Sequence, residues 1–444
     1  LSVAVSSDTI LILDSGTYDV NNGESFPLIS PIGAQDLTLQ GRGATKPVLT
    51  ADGFSATSWN PNWPSTQRPW AAIVGAGNGW TIKNLRIESP TYDKSMTSGD
   101  LAATTALAEN QIIGIHARSV VPGNGSHALR ILDCQVDDNY WGIYIEDLEG
   151  TSDPGGVRPV LISGCVVSEH GPTRPVGLST DLGHGGIVVG GHPSLEVEIL
   201  NCISEENHDG IEGGQQGTMN QTTMRIESCT IRDNESGIEA FANDIEVTDC
   251  LIQLNERLNP TTEGGVNNVL STVGIGYRPG SGSGRLEVRE TDFDRNQTSF
   301  WAFSGTAVEL DFGRDYSANR GGNVFTVDTT APWPAADSYR VTYVCMFTNN
   351  DQTIHAVANT WTYKTPIVQP PNNWEQDYNQ GANQNGQFPS GGATVEFLPA
   401  TNVDGSDDPN RRPIVGEGYQ HPNRPWNFAV SSGGLSTKKI VVRP

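Results

Sequence analysis

The sequence predicts an all-β solenoid, a parallel β-helix of stacked coils, and three observations predict it. A phrase recurs along the middle of the chain: Asn139-Tyr140-Trp141-Gly142-Ile143, Asn207-His208-Asp209-Gly210-Ile211 and Asn234-Glu235-Ser236-Gly237-Ile238 all read Asn-x-x-Gly-Ile. A Cys stands five residues before each Asn, as Cys134, Cys202 and Cys229, and Cys250 precedes Asn255 by the same five. Cys165 precedes His170 likewise, and Thr291 precedes Asn296. The third observation is compositional: the 444 residues include 50 Gly and 27 Pro with only 18% charged, the texture of a turn-rich β protein. A repeat of roughly 20–40 residues built from short apolar strands and Gly/Asn turns is the mark of a solenoid. Each coil of a solenoid packs only on its neighbours, so the length does not demand several domains.

Each coil reads as an alternating strand, a turn and a second short strand. In Met224-Arg225-Ile226-Glu227-Ser228-Cys229-Thr230-Ile231, Met224, Ile226 and Cys229 face inward, and alternation breaks near Ser228, where the chain bends. After the Asn turn, Gly237-Ile238-Glu239-Ala240 starts the next strand with Ile238 and Ala240 inward and Glu239 outward. The Gly supplies either a positive φ or a close backbone approach. Earlier coils fall at Trp80–Leu85 and Ile113-Gly114-Ile115, later ones at Thr272–Ile275 and Ser299-Phe300-Trp301. Gly114 to Gly142 is 28 residues, and the next intervals, to Gly186, Gly210, Gly237 and Gly274, are 44, 24, 27 and 37. The short intervals fit one turn, and the long ones imply projecting loops at 150–156, 171–181 and 257–268. Insertions on a solenoid tend to gather on its binding face. Past Thr365 the periodicity stops in Pro-, Asn- and Gly-rich stretches; only 393–398 and 439–442 look like strands. The expected organisation is a β-helix over 1–365 and a C-terminal extension over 366–444 that caps the solenoid, lies along it or joins a homo-oligomer.

The net charge of −24 repels nucleic acid and anionic membranes, so neither is an expected partner. It also repels acidic polysaccharides unless a divalent cation bridges the two. No apolar run is long enough for a membrane span. The first residues lack the layout of a signal peptide, as in a chain that begins after a removed leader. The acidic, Asn/Gly-rich β character points to an extracellular or cell-surface location.

Gly16-Thr17-Tyr18 followed by Asn22-Gly23-Glu24-Ser25-Phe26-Pro27-Leu28 resembles the opening coil of a bacterial group of pectate-lyase-like β-helix proteins. Gly321-Gly322-Asn323-Val324-Phe325 and His355–Trp361 resemble that group's closing coils. The resemblance spans roughly Ser7 to Trp361 and implies a right-handed parallel β-helix. It brings no catalytic residues with it. The wider superfamily holds lyases, glycoside hydrolases, tailspikes and adhesins, and fold does not choose among them.

The Cys column reads as a buried ladder of reduced thiols. Disulfides are the alternative, because stacked strands stand about 4.8 Å apart. No His sits inside the column at a metal-ligand spacing. The outward position after Gly-Ile reads His116, Tyr144, Val188, Glu212, Glu239, Gly276 down the coils, which makes Glu212 and Glu239 neighbours on one face. Just before the Gly, His184, His208 and Glu235 fall in register, with Asp209 one step on. Carboxylates about 5 Å apart match a retaining glycosidase pair. Crowding would raise one carboxyl into the range of a general acid. The catalytic candidates are therefore Glu212, Glu239, His208, Asp209 and His184. A plain acidic ladder is the bland reading. A third reading is a calcium site held by Glu212, Glu239 and Glu235, because Ca²⁺ favours clustered carboxylate oxygens.

Asp181-Leu182-Gly183-His184-Gly185-Gly186 is similar to the Gly-His-Gly segment of polygalacturonase-like hydrolases, but no Asp-Asp pair follows on neighbouring coils. No Lys lies between Lys94 and Lys364, which leaves Arg174, Arg225 and Arg278 as possible bases and argues against lyase chemistry on a polyuronate. The loop Trp59-Asn60-Pro61-Asn62-Trp63 with Trp70 would either stack on sugar rings or pack over the first coils. The expected function is a secreted protein that binds or cleaves a polysaccharide or cell-surface glycan, by hydrolysis if it is an enzyme. The competing expectation is a non-catalytic fibre subunit, adhesin or tailspike-like module.

Overall fold

The computed structural model describes residues 8–22, 35–50, 71–74, 79–89, 113–118, 127–139, 141–146, 158–170, 185–190, 195–213, 222–241, 244–255, 273–277, 284–296, 298–302, 308–314, 320–327, 344–348, 353–356, 359–363, 394–396, 400–401, 407–408 and 440–441. The three expected insertions, the Trp59–Trp70 loop and most of the extension lie outside these residues. Two compact units divide the chain, Leu1–Arg225 and Ile226–Pro444.

Among the described residues a complete coil holds three strands, and each strand pairs in parallel with its counterpart one coil on. In the first unit the first sheet runs Ile10–Asp14, Thr38–Arg42, Trp80–Lys83, Leu129–Leu132, Arg158–Ser163, Leu195–Leu200. The second runs Thr17–Tyr18, Val48–Thr50, Arg86–Glu88, Gln135–Asp137, Val166–Ser168, Ile203–Glu205. The third runs Ala71–Val74, Ile113–Arg118, Trp141–Glu146, Gly185–Val189, Asp209–Gly213. The second unit repeats the plan. Its first sheet runs from Asp244–Thr248 through Gly284–Arg289, Val308–Asp311 and Thr353–His355 to Thr394–Glu396, and Ile440–Val441 then adds antiparallel. Its second sheet runs from Thr230–Arg232 to Thr360–Tyr363, its third from Ser236–Ala240 to Val344–Thr348.

Two sharp turns make each coil, and both use a residue with left-handed backbone. Asn84, Asp133, Gly164 and Asn201 hold that conformation just before Leu85, Cys134, Cys165 and Cys202. Asp138, Glu169 and Glu206 hold it just before Asn139, His170 and Asn207. Asn and Asp suit such turns because their short side chains bond locally and tolerate positive φ. Ser228 and Asp233 keep both turns going in the second unit.

Of the two roles open to the repeat glycines, the structure uses close approach. A Cβ at Gly142 would stand 2.5 Å from Gly186 O, 2.6 Å from His170 Nε2 and 2.7 Å from Val167 Cγ1. Gly237 is pressed in the same way by Gly274 O at 2.5 Å and Asn255 Nδ2 at 3.0 Å. The glycine is needed because the Asn column fills the space inside the third sheet. In that column Asn255 accepts a hydrogen bond from the Asn234 backbone N–H at 3.2 Å and donates from Nδ2 to Ile231 O at 3.1 Å. Asn296 does the same for Asn255 N–H and Ile252 O.

The Cys column is a ladder of free, buried thiols: Cys134, Cys165, Cys202, Cys229 and Cys250. Each bonds a backbone carbonyl two residues back, Cys134 to Leu132 O at 3.4 Å for example. Farther along, Thr291, Asn323 and Asn359 take over the column, and Asn359 Oδ1 accepts the Asn323 N–H at 3.0 Å. Apart from buried Trp80, the remaining interior is mainly aliphatic in the first unit, where Ile115, Ile143, Ile187 and Ile211 stack in register. Each such buried side chain contributes up to ~1.5–3 kcal/mol. In the second unit aromatics fill the later coils: Phe293 stacks on Phe325 at 4.7 Å, and Phe300 meets Phe312 edge-on at 4.8 Å.

One buried ion cluster fixes the outside of the second unit's first sheet. Asp311 receives Arg289 Nη2 at 2.9 Å, the Gly313 N–H at 2.9 Å and Arg314 Nε at 2.7 Å. Burial alone would raise the Asp311 carboxyl, but these donors outweigh it and hold the group below the usual aspartate range. A depressed carboxyl contributes stability above its unfolded value and loses it as pH falls. Wild type is therefore expected to lose this contribution below about pH 4. Asp311→Asn should lower stability at pH 7 by ~2–4 kcal/mol and flatten that acid limb, as read by urea titrations at the two pH values. An unchanged acid limb would remove Asp311 from the account.

Candidate functional site

The outer face of the third sheet in the first unit brings the chemistry-bearing side chains together. Its register runs Val74, His116, Tyr144, Val188, Glu212, in agreement with the outward column read from the sequence. A second outward column comes from a local break in alternation. A Cβ at Gly186 would stand 2.8 Å from Asn207 Nδ2, inside the coil, so Gly186 and Ile187 both face inward. A Cβ at Gly185 would instead stand 2.5 Å from Val188 Cγ2 and 3.7 Å from Glu212 Cβ, on the outside. Asp209 pairs with Gly185 in register and so shares the outer face with Glu212. Strict alternation hides this placement. The signal available in the sequence was the Gly before each Ile, which absorbs the extra inward residue.

At one end of the face lies an aromatic group. His116 stacks on Tyr144 with centroids 5.0 Å apart, and Trp141 leans on Tyr144 at 4.8 Å. Ile113 packs beneath Trp141 and Tyr144, both of which stay partly exposed. Trp141 sits within the repeated phrase itself, in one of its two variable positions. Two strands along, past the side-chain-free Gly185, stands the acidic end. His208 Nδ1 bonds Asp209 Oδ2 at 2.9 Å, and the two residues are only 8% and 3% exposed. Among the described residues Asp209 Oδ1 accepts no hydrogen bond, although it is buried. The His208 backbone N–H donates to His170 O at 3.0 Å, which ties the pair to the preceding coil. Glu212 is half-buried on the same strand as Asp209.

His184 lies outside the described residues. In the second unit Glu239 is half-buried on Ser236–Ala240, and its register partner is Gly276. Glu235 is 1% exposed, a buried turn residue beside Asn234. Among the described residues no group of three His, Cys, Asp or Glu side chains is arranged to hold a metal ion. None of their helices is long and apolar enough to cross a membrane.

Residues 107–314 match the family described as a right handed beta helix region. The fold is a right-handed parallel β-helix. No curated protein and no solved structure matches the chain. The matched stretch of the β-helix carries the whole aromatic-to-acidic face, and the repeated phrase lies wholly within it.

Proposed function

We propose that this β-helix acts outside the cell on a neutral glycan, which lies across the third-sheet face of the first unit and is hydrolysed there. The observation that supports the reading is one continuous outward row, from Trp141 leaning on Tyr144 to Glu212 and the His208–Asp209 pair. Aromatic rings with an apolar face and a polar edge suit sugar rings. Strands about 4.8 Å apart put the rings and the carboxylate roughly 10 Å from each other, room for more than one sugar unit. The acidic net charge favours an uncharged chain over a polyuronate.

In the chemical step Glu212 would give its proton to the glycosidic oxygen as the bond to the anomeric carbon breaks. Asp209 holds the proton of His208 on Nδ1, which makes Nε2 the basic nitrogen. Nε2 would take a proton from the water that attacks the anomeric carbon. Both protons are accounted for, and no redox partner is needed.

The test is a screen of neutral polysaccharides, with and without calcium, on wild type, Glu212→Gln, His208→Asn and Glu239→Gln. The expected result is turnover by wild type, a loss of 100-fold or more (~10²–10⁴ for a general acid) in Glu212→Gln, a similar loss in His208→Asn, and an unchanged melting temperature for Glu212→Gln. Loss in Glu239→Gln without loss in His208→Asn would return the roles to a carboxylate pair. Glycan binding without turnover by any form would overturn hydrolysis and leave an adhesive or structural module.

A further inference from the structure

The second-turn column of the first unit is Asn139, His170, Asn207, and one of its three members is not an amide. His170 copies the asparagine contacts. Its Nε2 donates to Val136 O at 2.9 Å, as Asn207 Nδ2 donates to Val167 O at 3.2 Å. Its Nδ1 accepts the Asn139 backbone N–H at 3.1 Å, and its own N–H donates to Asn207 Oδ1 at 3.0 Å. A carbonyl only accepts, so the ring proton sits on Nε2, and Nδ1 can accept only while it carries none. The ring is 1% exposed.

We propose that His170 is an acid-sensitive latch that holds the coil bearing the His208–Asp209 pair. A second proton on Nδ1 would exchange the bond from Asn139 N–H for one to Asn139 O, 3.1 Å away. It would also leave that N–H without its acceptor and set a charge among neutral amides. Among the groups against the ring are Val136 O, the Asn139 backbone and Gly142, which do not titrate. Along the chain the adjoining titratable groups are Asp137 beside Val136, and Asp138, Glu169 and Glu206, which precede the three column residues. His208 also adjoins the ring's own residue, through its N–H on His170 O. That bond makes the latch bear on the site. The effect on turnover rests on the function proposed above, whereas the effect on stability does not.

The test compares wild type with His170→Asn, the residue that other coils use here, by chemical unfolding at pH 7.5 and pH 5.5. A fold that excludes one proton loses up to tenfold in its folding equilibrium per pH unit below the ordinary histidine value of about 6.5. The expected result is equal stability at pH 7.5 and a markedly smaller loss at pH 5.5 in His170→Asn. Asp137, whose carboxyl burial holds above its usual range, is present in both proteins and cancels. Ring ¹⁵N spectra of histidine-labelled wild type provide a second readout: His170 should stay neutral, with its proton on Nε2, until unfolding. Identical pH dependence in the two proteins, or a doubly protonated His170 ring in the folded state, would overturn the latch. A turnover screen without signal would leave both stability results standing.

Discussion

Gly142→Ala is expected to cost ~3 kcal/mol or more, among the largest single-residue losses in the first unit. The new methyl would meet Gly186 O at 2.5 Å, and a backbone oxygen held in a parallel ladder has nowhere to go. It would also press on His170 Nε2 at 2.6 Å and so strain the column that the glycine exists to accommodate. Gly213→Ala provides the contrast. Its methyl would overlap only the Met224 side chain, whose flexible thioether end can swing away. Urea titration should therefore rank the two far apart. A Gly142→Ala midpoint within error of wild type would mean that the coils separate easily, against the packing described here.

Asn255→Ala in the second unit should cost about as much, ~3–5 kcal/mol, for a different reason. The Asn255 side chain accepts from Asn234 N–H, donates to Ile231 O and bonds Asn296 Oδ1 at 2.9 Å. Truncation strands a donor and an acceptor where water cannot reach, and each such group costs ~1–3 kcal/mol. Hydrogen exchange should show the Asn234 amide losing protection first. A loss confined to about 1 kcal/mol would mean that water enters the column.

The repeated phrase made the coil legible because each of its fixed positions has one physical job. Asn fills the inner turn, Gly makes room for it, and Ile packs in the core. The Cys column was legible for the same reason, since a small thiol fits a position where strands stack closely. What stayed hidden was the outward geometry. Alternation alone does not place Asp209 beside Glu212, because the extra inward residue at Gly210 shifts the phase. Asn323 and Asn359 were also missed as ladder members. They sit in the Cys column, and the sequence offered no Cys to mark them. The buried position of Glu235 was equally invisible, because a Glu in a turn reads as solvated until its neighbours are known.

Among the described residues, the turn N–H groups of the two columns that bond side chains point one way, each to the next coil. Asn139 N–H is met by the side chain of His170, and His170 N–H by that of Asn207. In the second unit Asn234 N–H waits on Asn255, Asn255 N–H on Asn296, and Asn323 N–H on Asn359. In each of these links the turn N–H of one coil is thus met by a side chain of its successor. A ribosome delivers the chain in that same direction, so during synthesis the newest coil always carries an unmet donor, and each arriving coil rewards the one before it. Along these columns assembly has a built-in arrow.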